Sequence, residues 1–309
     1  MPHVFNARHL VALLAASCLV LLFAAPSVAR PAAADPSTAE MTLAVSDFTS
    51  GAKVSKQRYL KPVAPATSTY SREFRPGARL GSKFLLMLES EVSLYPTPAL
   101  ASKDLQDFRR TLSNPSGRTF FAQMLASGFR QDSKVKLKRV ALSQPASLAA
   151  GQGSVHISAT FVLATKEHLT VHLAYVQTDR ALALLVLMPL PGSRLAKADL
   201  RRLAQLQSGR FKRSFTVANV AVPTVTGTVT PTQTLTASPG DWGGAPSTYT
   251  YQWSRCDSTA TTCADIPGAT SATYVVAAED TGSVLRATVV AGNSVSSSSA
   301  TSAVTTPVV

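Results

Sequence analysis

Apolar and polar residues alternate through much of the last third of the chain, which predicts strands with one buried face. Tyr249, Tyr251 and Trp253 fall on alternate positions of the stretch 248–255, so in a strand these aromatic side chains share one face. Short strands at this spacing, with turn-forming Pro-Gly and Gly-Gly pairs between them, predict a two-sheet β-sandwich over residues 223–309. The other predicted strands are residues 223–227, 234–237, 273–276, 284–290 and 300–305.

Residues 41–215 combine strand and helix periodicities. A strand is predicted at residues 84–95, and Thr97 is a suitable N-cap for the helix that follows it. A second helix is predicted at residues 118–127, with Gly128 as its C-terminal cap.

The next two strands are predicted to form a hairpin. Residues 155–163 and 168–175 each carry apolar side chains at alternate positions. A three-residue loop at 165–167 would pair Leu163 with Leu169 and keep both apolar sets on one face, whereas a two-residue loop would send them to opposite faces. We therefore predict the longer loop.

The last elements of this domain decide its fold class. Residues 180–190 are apolar at both parities, which predicts a central strand covered on both sides. An amphipathic helix at residues 196–208, ending at Gly209, closes the domain. We predict an α+β domain, an antiparallel sheet of roughly five to seven strands flanked by helices. The long meander and closing helix resemble the PsbP-like α/β/α sandwich proteins of bacterial cell surfaces and photosynthetic membranes. That resemblance implies an accessory factor that docks on a protein complex.

The first 29 residues have the features of a signal peptide. An apolar run at residues 10–25 follows a charged start, and small residues lead to a cleavage site after Ala29 or Ala34. Residues 30–40, rich in Pro and Ala, are predicted to be a disordered lead-in. The alternative is an uncleaved anchor, although sixteen apolar residues fall short of the roughly 20 that span a bilayer. We therefore expect a secreted, extracellular protein of the cell envelope.

The number of cysteines is consistent with export. Removal of the leader leaves Cys256 and Cys263, an even number of cysteines in an exported chain, which predicts that they form a disulfide. Closing so short a loop stabilises by roughly 2 kcal/mol at best. Two free structural thiols are the alternative.

A second resemblance rests on sequence motifs in residues 223–309. The most specific are Trp-Ser-Arg-Cys at residues 253–256 and the cysteine that follows, Cys263. The other matching motifs are PTVTG at 223–227, QTLTA at 233–237, PGDW at 239–242 and DTG at 280–282. With these motifs the region resembles the immunoglobulin-like repeats of secreted and surface proteins of actinobacteria. The resemblance implies a spacer or adhesive module.

Charge is distributed unevenly along the chain. Of the formal net charge of +13, the leader contributes +1 and residues 216–309 contribute −3, which leaves +15 on residues 30–215. A strongly basic domain therefore precedes a mildly acidic one, with residues 216–222 as the predicted linker. A basic field of this size attracts polyanions.

The cations of the closing helix form the candidate binding site, with Asp199 as their one acidic neighbour. Outside a cell they would meet an anionic wall polymer, an acidic glycan or lipid headgroups. Solvated helix faces, cations that complement a helix C-terminus, and edge-strand lysines such as Lys134, Lys136 and Lys138 are the alternative explanations. The candidate residues are Arg194, Lys197, Arg201, Arg202, Arg210, Lys212 and Arg213.

The sequence contains no motif of a known catalytic or metal site. His168 and His172 would lie roughly 13 Å apart along a strand, too far to bind one ion. A metal site would need His156 from the neighbouring strand and a carboxylate such as Glu167. We predict no enzyme activity, no cofactor and no metal; an enzyme that uses the sheet face around His156 and His172 is the third alternative.

These observations predict an exported, non-enzymatic protein of two domains that acts by binding at the cell envelope. The expected partner is an anionic cell-wall polymer, an acidic glycan or an envelope protein, bound by the basic domain. Intracellular nucleic acid is not expected, because no aromatic residues lie between the cations as stacking platforms. A membrane is a partner only if the leader is retained. The alternative is a PsbP-like accessory factor.

Overall fold

A computed structural model describes residues 37–48, 52–74, 79–80, 83–132, 136–190 and 193–309. These residues form two compact units that divide between Lys212 and Arg213. The predicted signal peptide lies outside the described residues. The end of the predicted lead-in is a short helix, α1 (Thr38–Met41).

The first unit is built on an antiparallel sheet. The strands are β1 (Val54–Leu60), β2 (Ser68–Phe74), β3 (Arg79–Leu80), β4 (Lys83–Leu94), β5 (Leu137–Leu142), β6 (Gly153–Leu163), β7 (His168–Thr178) and β8 (Ala181–Pro189). Seven of them follow the order β1-β2-β4-β8-β7-β6-β5, and the two-residue β3 pairs with β4.

Helices cover both faces of this sheet. On one face, α2 (Pro98–Ser113) and α3 (Pro115–Asp132) pack Leu105 and Phe121 against apolar residues of β6, β7 and β8. On the other face, α4 (Lys197–Phe215) packs Leu200 and Leu203 against the sheet. This arrangement confirms the predicted α+β class of an antiparallel sheet flanked by helices.

The start of α2 follows its sequence signal, whereas α3 begins at Pro115 rather than at the predicted residue 118, because proline is tolerated in the first turn of a helix. The Thr97 hydroxyl accepts a hydrogen bond from the Leu100 N–H at 3.3 Å, as an N-cap does. Two helix ends also differ from the prediction. The predictions that Gly128 ends α3 and that Gly209 ends α4 are wrong, because both helices continue beyond these glycines. A glycine inside a helix costs about 1 kcal/mol, which is less than burial of a phenylalanine on the following turn contributes. Phe129 and Phe211 are such residues and are fully buried.

The predicted hairpin has the correct faces and the wrong register. Phe161, rather than Leu163, lies opposite Leu169. The turn closes with a hydrogen bond of 3.0 Å from the Leu163 N–H to the Glu167 carbonyl, and Lys166 takes a positive φ of 69°. The shift is two residues, so both apolar sets still point to one face.

The positions of two strands in the sheet agree with the polarity of their sequences. Strand β8 is buried along its whole length and lies between β4 and β7 in the interior of the sheet. Strand β5 forms an edge, and Lys138 in this strand and Lys136 just before it are exposed. The register of β5 against β6 shifts between Leu137 and Arg139. Lys134 lies outside the described residues.

The second unit contains only antiparallel sheets. The strands are β9 (Ala218–Ala221), β10 (Val225–Thr226), β11 (Thr234–Ala237), β12 (Asp241–Gly243), β13 (Thr248–Cys256), β14 (Cys263–Asp265), β15 (Thr273–Val275), β16 (Val284–Gly292) and β17 (Ser297–Thr301). The two main sheets have the orders β10-β11-β15 and β14-β13-β16-β17, and β9 pairs with β12. The predicted linker therefore contains a strand.

Trp253 is the centre of this unit. It is fully buried with Leu235 from one main sheet and Leu285 from the other, so the two sheets pack face to face as predicted. Its indole N–H donates to the Ser271 carbonyl at 2.9 Å. The predicted disulfide between Cys256 and Cys263 is present and joins β13 to β14 within one sheet.

Candidate functional site

The first region of interest is the outer side of α4. Its inner side carries Leu200, Leu203 and the buried amide of Gln207, so the helical period turns Arg201 and Arg202 outward. Both arginines are exposed.

Arg210 has a different environment from these two arginines. Its Nε lies 2.6 Å from Asp47 Oδ2 and its Nη2 lies 3.2 Å from Asp47 Oδ1, so the contact is bidentate. The two side chains are 16% and 11% exposed. A third hydrogen bond, of 3.3 Å, joins Nη1 to the Glu40 carbonyl. Arg210 thus connects α4 to residues 40–47 and is not available to a partner in solution.

The remaining candidate cations fall into two groups. Arg194 and Lys197 are exposed at the start of α4, one turn before the two outward arginines. Asp199, the acidic neighbour, caps the helix by accepting the Ala196 N–H at 3.0 Å, and makes no ion pair with these cations. Lys212 closes the first unit and Arg213 opens the second, and both are exposed. We call Arg194, Lys197, Arg201 and Arg202 the cationic cluster.

Two histidines lie together on the face of the sheet that α4 covers. His156 Nε2 is 3.1 Å from His172 Nδ1, and the rings are stacked. Burial, the neighbouring His172 and the charge of Lys197 lower the pKa of His156 to about 4, and burial also lowers the pKa of His172. The pair is therefore neutral near pH 7.

The histidine pair does not extend to a metal site within the described residues. His168 is exposed at the start of β7, away from the pair, and Glu167 is exposed in the preceding turn. In the described part of the chain no three His, Cys, Asp or Glu side chains come together as metal ligands would. A hydrogen-bonded pair of this kind fills the sheet face without an ion.

Glu89 and Glu91 are residues whose environment the sequence analysis did not predict. Both lie on the face of β4 that helices α2 and α3 cover, and the two residues are 5% and 3% exposed. Burial is the main cause that raises the pKa of Glu89, and burial followed by the charge of Glu89 raises the pKa of Glu91 to about 8. Two acidic side chains in a strand that begins with a continuous apolar run, residues 84–88, were the available signal.

Glu91 lines a cavity in the first unit. The cavity has a volume of about 120 Å³ and lies between residues 63–66, the strands β4 and β8, and the helices α2 and α3. Most of its wall is apolar, with Phe108, Phe121 and Leu184 among the lining residues. An apolar pocket with a few polar groups is the usual form of a small-molecule site.

Comparisons with known proteins assign no family to this chain. No family model matches it, and no curated protein is significantly similar to it. Among solved structures, a β-1,2-glucanase from Parabacteroides distasonis aligns at 11% identity and a TM-score of 0.19. The alignment covers 83% of this chain and 36% of the glucanase, so the chain spans about a third of that protein. Agreement this low carries no argument about fold or activity.

No helix within the described ranges has the length and apolar character to cross a membrane.

Proposed function

We propose that this chain is an exported, non-enzymatic protein of the cell envelope that binds an anionic surface polymer through the cationic cluster. In this proposal the second unit is an immunoglobulin-like spacer or adhesive module related to those of actinobacterial surface proteins. The signal-peptide features and the disulfide between Cys256 and Cys263 support export.

One observation carries the proposal: four cations are exposed at the start of one helix and none forms an ion pair with a described residue. Arg210, on the same helix, shows the contrasting case in which an arginine has a structural partner. The N-terminus of a helix also favours negative charge, because its free N–H groups point outward there. A polymer of repeated negative charges would satisfy both features.

The test is retention of the mature protein on an immobilised anionic wall polymer at increasing salt. We expect retention to fall steeply with salt and to be lost in the double variant Arg201→Glu, Arg202→Glu. The matched control is Lys136→Glu, Lys138→Glu, which changes the charge equally at the edge strand. Equal retention of the two variants would contradict the proposal.

The second candidate function is that of a PsbP-like accessory factor that docks on a protein complex. The covering of one antiparallel sheet by helices on both faces favours it, because this is the layering of that family. Capture of one stoichiometric envelope protein, unaffected by salt and by the arginine reversals, would support this function over polymer binding.

A further inference from the structure

The cavity beside β4 contains a buried acid without a partner. The Glu91 carboxyl is 3% exposed and accepts no hydrogen bond from any described residue. Its cross-strand neighbours are Ser71 on β2 and Leu184 on β8, and the Ser71 hydroxyl donates to Glu89 instead. A buried polar group is normally hydrogen-bonded, because an unpaired one is costly. The Glu91 carboxyl is therefore free to meet a group that enters the cavity.

The other polar groups of the cavity are acidic or neutral. Asp104 and Asp107 line it from α2, and the Tyr95 hydroxyl donates to the Asp104 carboxylate. Asp107 is half-exposed and pairs with Lys103. Among the described lining residues there is no lysine or arginine. With acidic groups and no basic side chain among the described lining residues, this cavity favours a cation over an anion, and Glu91 can ionise to pair with it.

The apolar wall defines the rest of the ligand. Met124 and Leu182 contribute apolar surface to the cavity. Five aromatic residues also line it, Tyr95, Phe108, Phe120, Phe121 and Tyr175. A volume of about 120 Å³ is close to that of the engineered cavity of about 150 Å³ that holds benzene. Aromatic faces also attract organic cations. The wall therefore fits a group the size of one ring.

We propose that this cavity binds a small organic cation, an ammonium group attached to a ring-sized apolar body, with Glu91 as its counter-ion. The site is separate from the cationic cluster and shares no residue with it. The test of polymer binding and the test of cation binding can therefore give opposite results, and failure of one proposal does not imply failure of the other.

The experiment uses three probes of the same shape on the mature protein: benzylamine, neutral benzyl alcohol and anionic benzoate. Binding is followed at pH 8 by calorimetry and by methyl NMR signals of Met124 and Leu184. We expect benzylamine to bind at least tenfold more tightly than benzyl alcohol, with shifts at these methyl groups, and benzoate to bind more weakly than either.

The decisive variant is Glu91→Gln, which keeps the shape of the side chain and removes its charge. We expect it to lose the preference for benzylamine over benzyl alcohol, whereas the matched control Glu167→Gln, an exposed acid, keeps it. Unchanged benzylamine affinity in Glu91→Gln would overturn the proposal. So would tighter binding of benzoate, or benzylamine shifts in the wild type that avoid Met124 and Leu184.

Discussion

The two faces of the first unit's sheet differ in the hydrogen bonding of their buried polar side chains. On the α4 face, Ser90 donates to the Gln207 side chain at 3.1 Å, and Gln207 donates to the Met41 carbonyl at 2.7 Å. On the α2 and α3 face, Glu91 has no hydrogen bond, and one oxygen of Glu89 is buried without a partner. Paired polar groups hold elements together, whereas unpaired ones destabilise the fold. We infer that the first face is structural and that the second is available for a ligand.

The largest effect is expected from breaking the ion pair beside the α4 face. Arg210→Met leaves Asp47 partly buried without its partner, which costs on the order of 3 kcal/mol. Urea unfolding of the mature protein measures this loss. Arg201→Ala is the control on the same helix, and as an exposed substitution it should change the unfolding free energy by less than about 0.5 kcal/mol. Equal losses in both variants would contradict the structural assignment of Arg210.

Glu91→Gln is expected to raise the unfolding free energy, whereas Arg210→Met lowers it. Burial raises the pKa of Glu91 to about 8 in the folded protein, whereas in the unfolded chain it is close to the ordinary value of 4.5, so the folded state holds more protons between these pH values. The unfolding free energy of the wild type therefore falls as the pH rises from 4.5 to 8. Glutamine does not titrate, so the variant lacks this pH-dependent loss. The variant should gain stability over the wild type across that window, by a few kcal/mol at pH 8.

Urea unfolding at pH 4.5 and at pH 8 measures this gain. The exposed acid variant Glu167→Gln should follow the wild type at both pH values. A gain from Glu91→Gln that is the same at both pH values would show that Glu91 is not held protonated in the folded protein.

The smallest effect is expected outside the sheet, in the second unit. Replacement of Cys256 and Cys263 by serine removes a cross-link that closes a short loop, which costs roughly 2 kcal/mol or less. Trp253 and the apolar residues around it should keep the unit folded. Tryptophan fluorescence during thermal unfolding measures the loss, and reductant should destabilise the wild type but not the variant. Two titratable thiols in the purified wild-type protein would contradict both the cross-link and the inference of export.

Local signals in the sequence predicted most of the elements. The Thr97 cap, the apolar stretch that became β8 and the alternating aromatics that predicted strand β13 each depend on neighbouring residues, and all three elements were confirmed. Trp253 is buried on the predicted face of β13, but Tyr249 is exposed. The ends of α3 and α4 were missed because tertiary burial of Phe129 and Phe211 outweighs the local cost of a glycine.

The candidate sites depend on contacts between distant residues. From the sequence, Arg210 is one of a run of candidate binding cations, because its partner, Asp47, lies 163 residues away in the chain. The burial of Glu91 is not visible in the sequence of β4, because the helices that cover it lie elsewhere in the chain. In both cases the environment of the side chain is set by elements distant in the sequence.

The measurement that tests the central claim most directly is the number of protons released when benzylamine binds at pH 7. The charged groups around the Glu91 carboxyl are Glu89 on its own strand, Arg58 on β1, and Asp104 and Asp107 on α2, with Tyr95 as a further titratable neighbour. Because the carboxyl is protonated in the free protein and must ionise to pair with an ammonium, calorimetry in buffers of different ionisation enthalpy should give about one proton per benzylamine. Glu91→Gln should release none. Binding without proton release in the wild type, or the same release in the variant, would contradict the account.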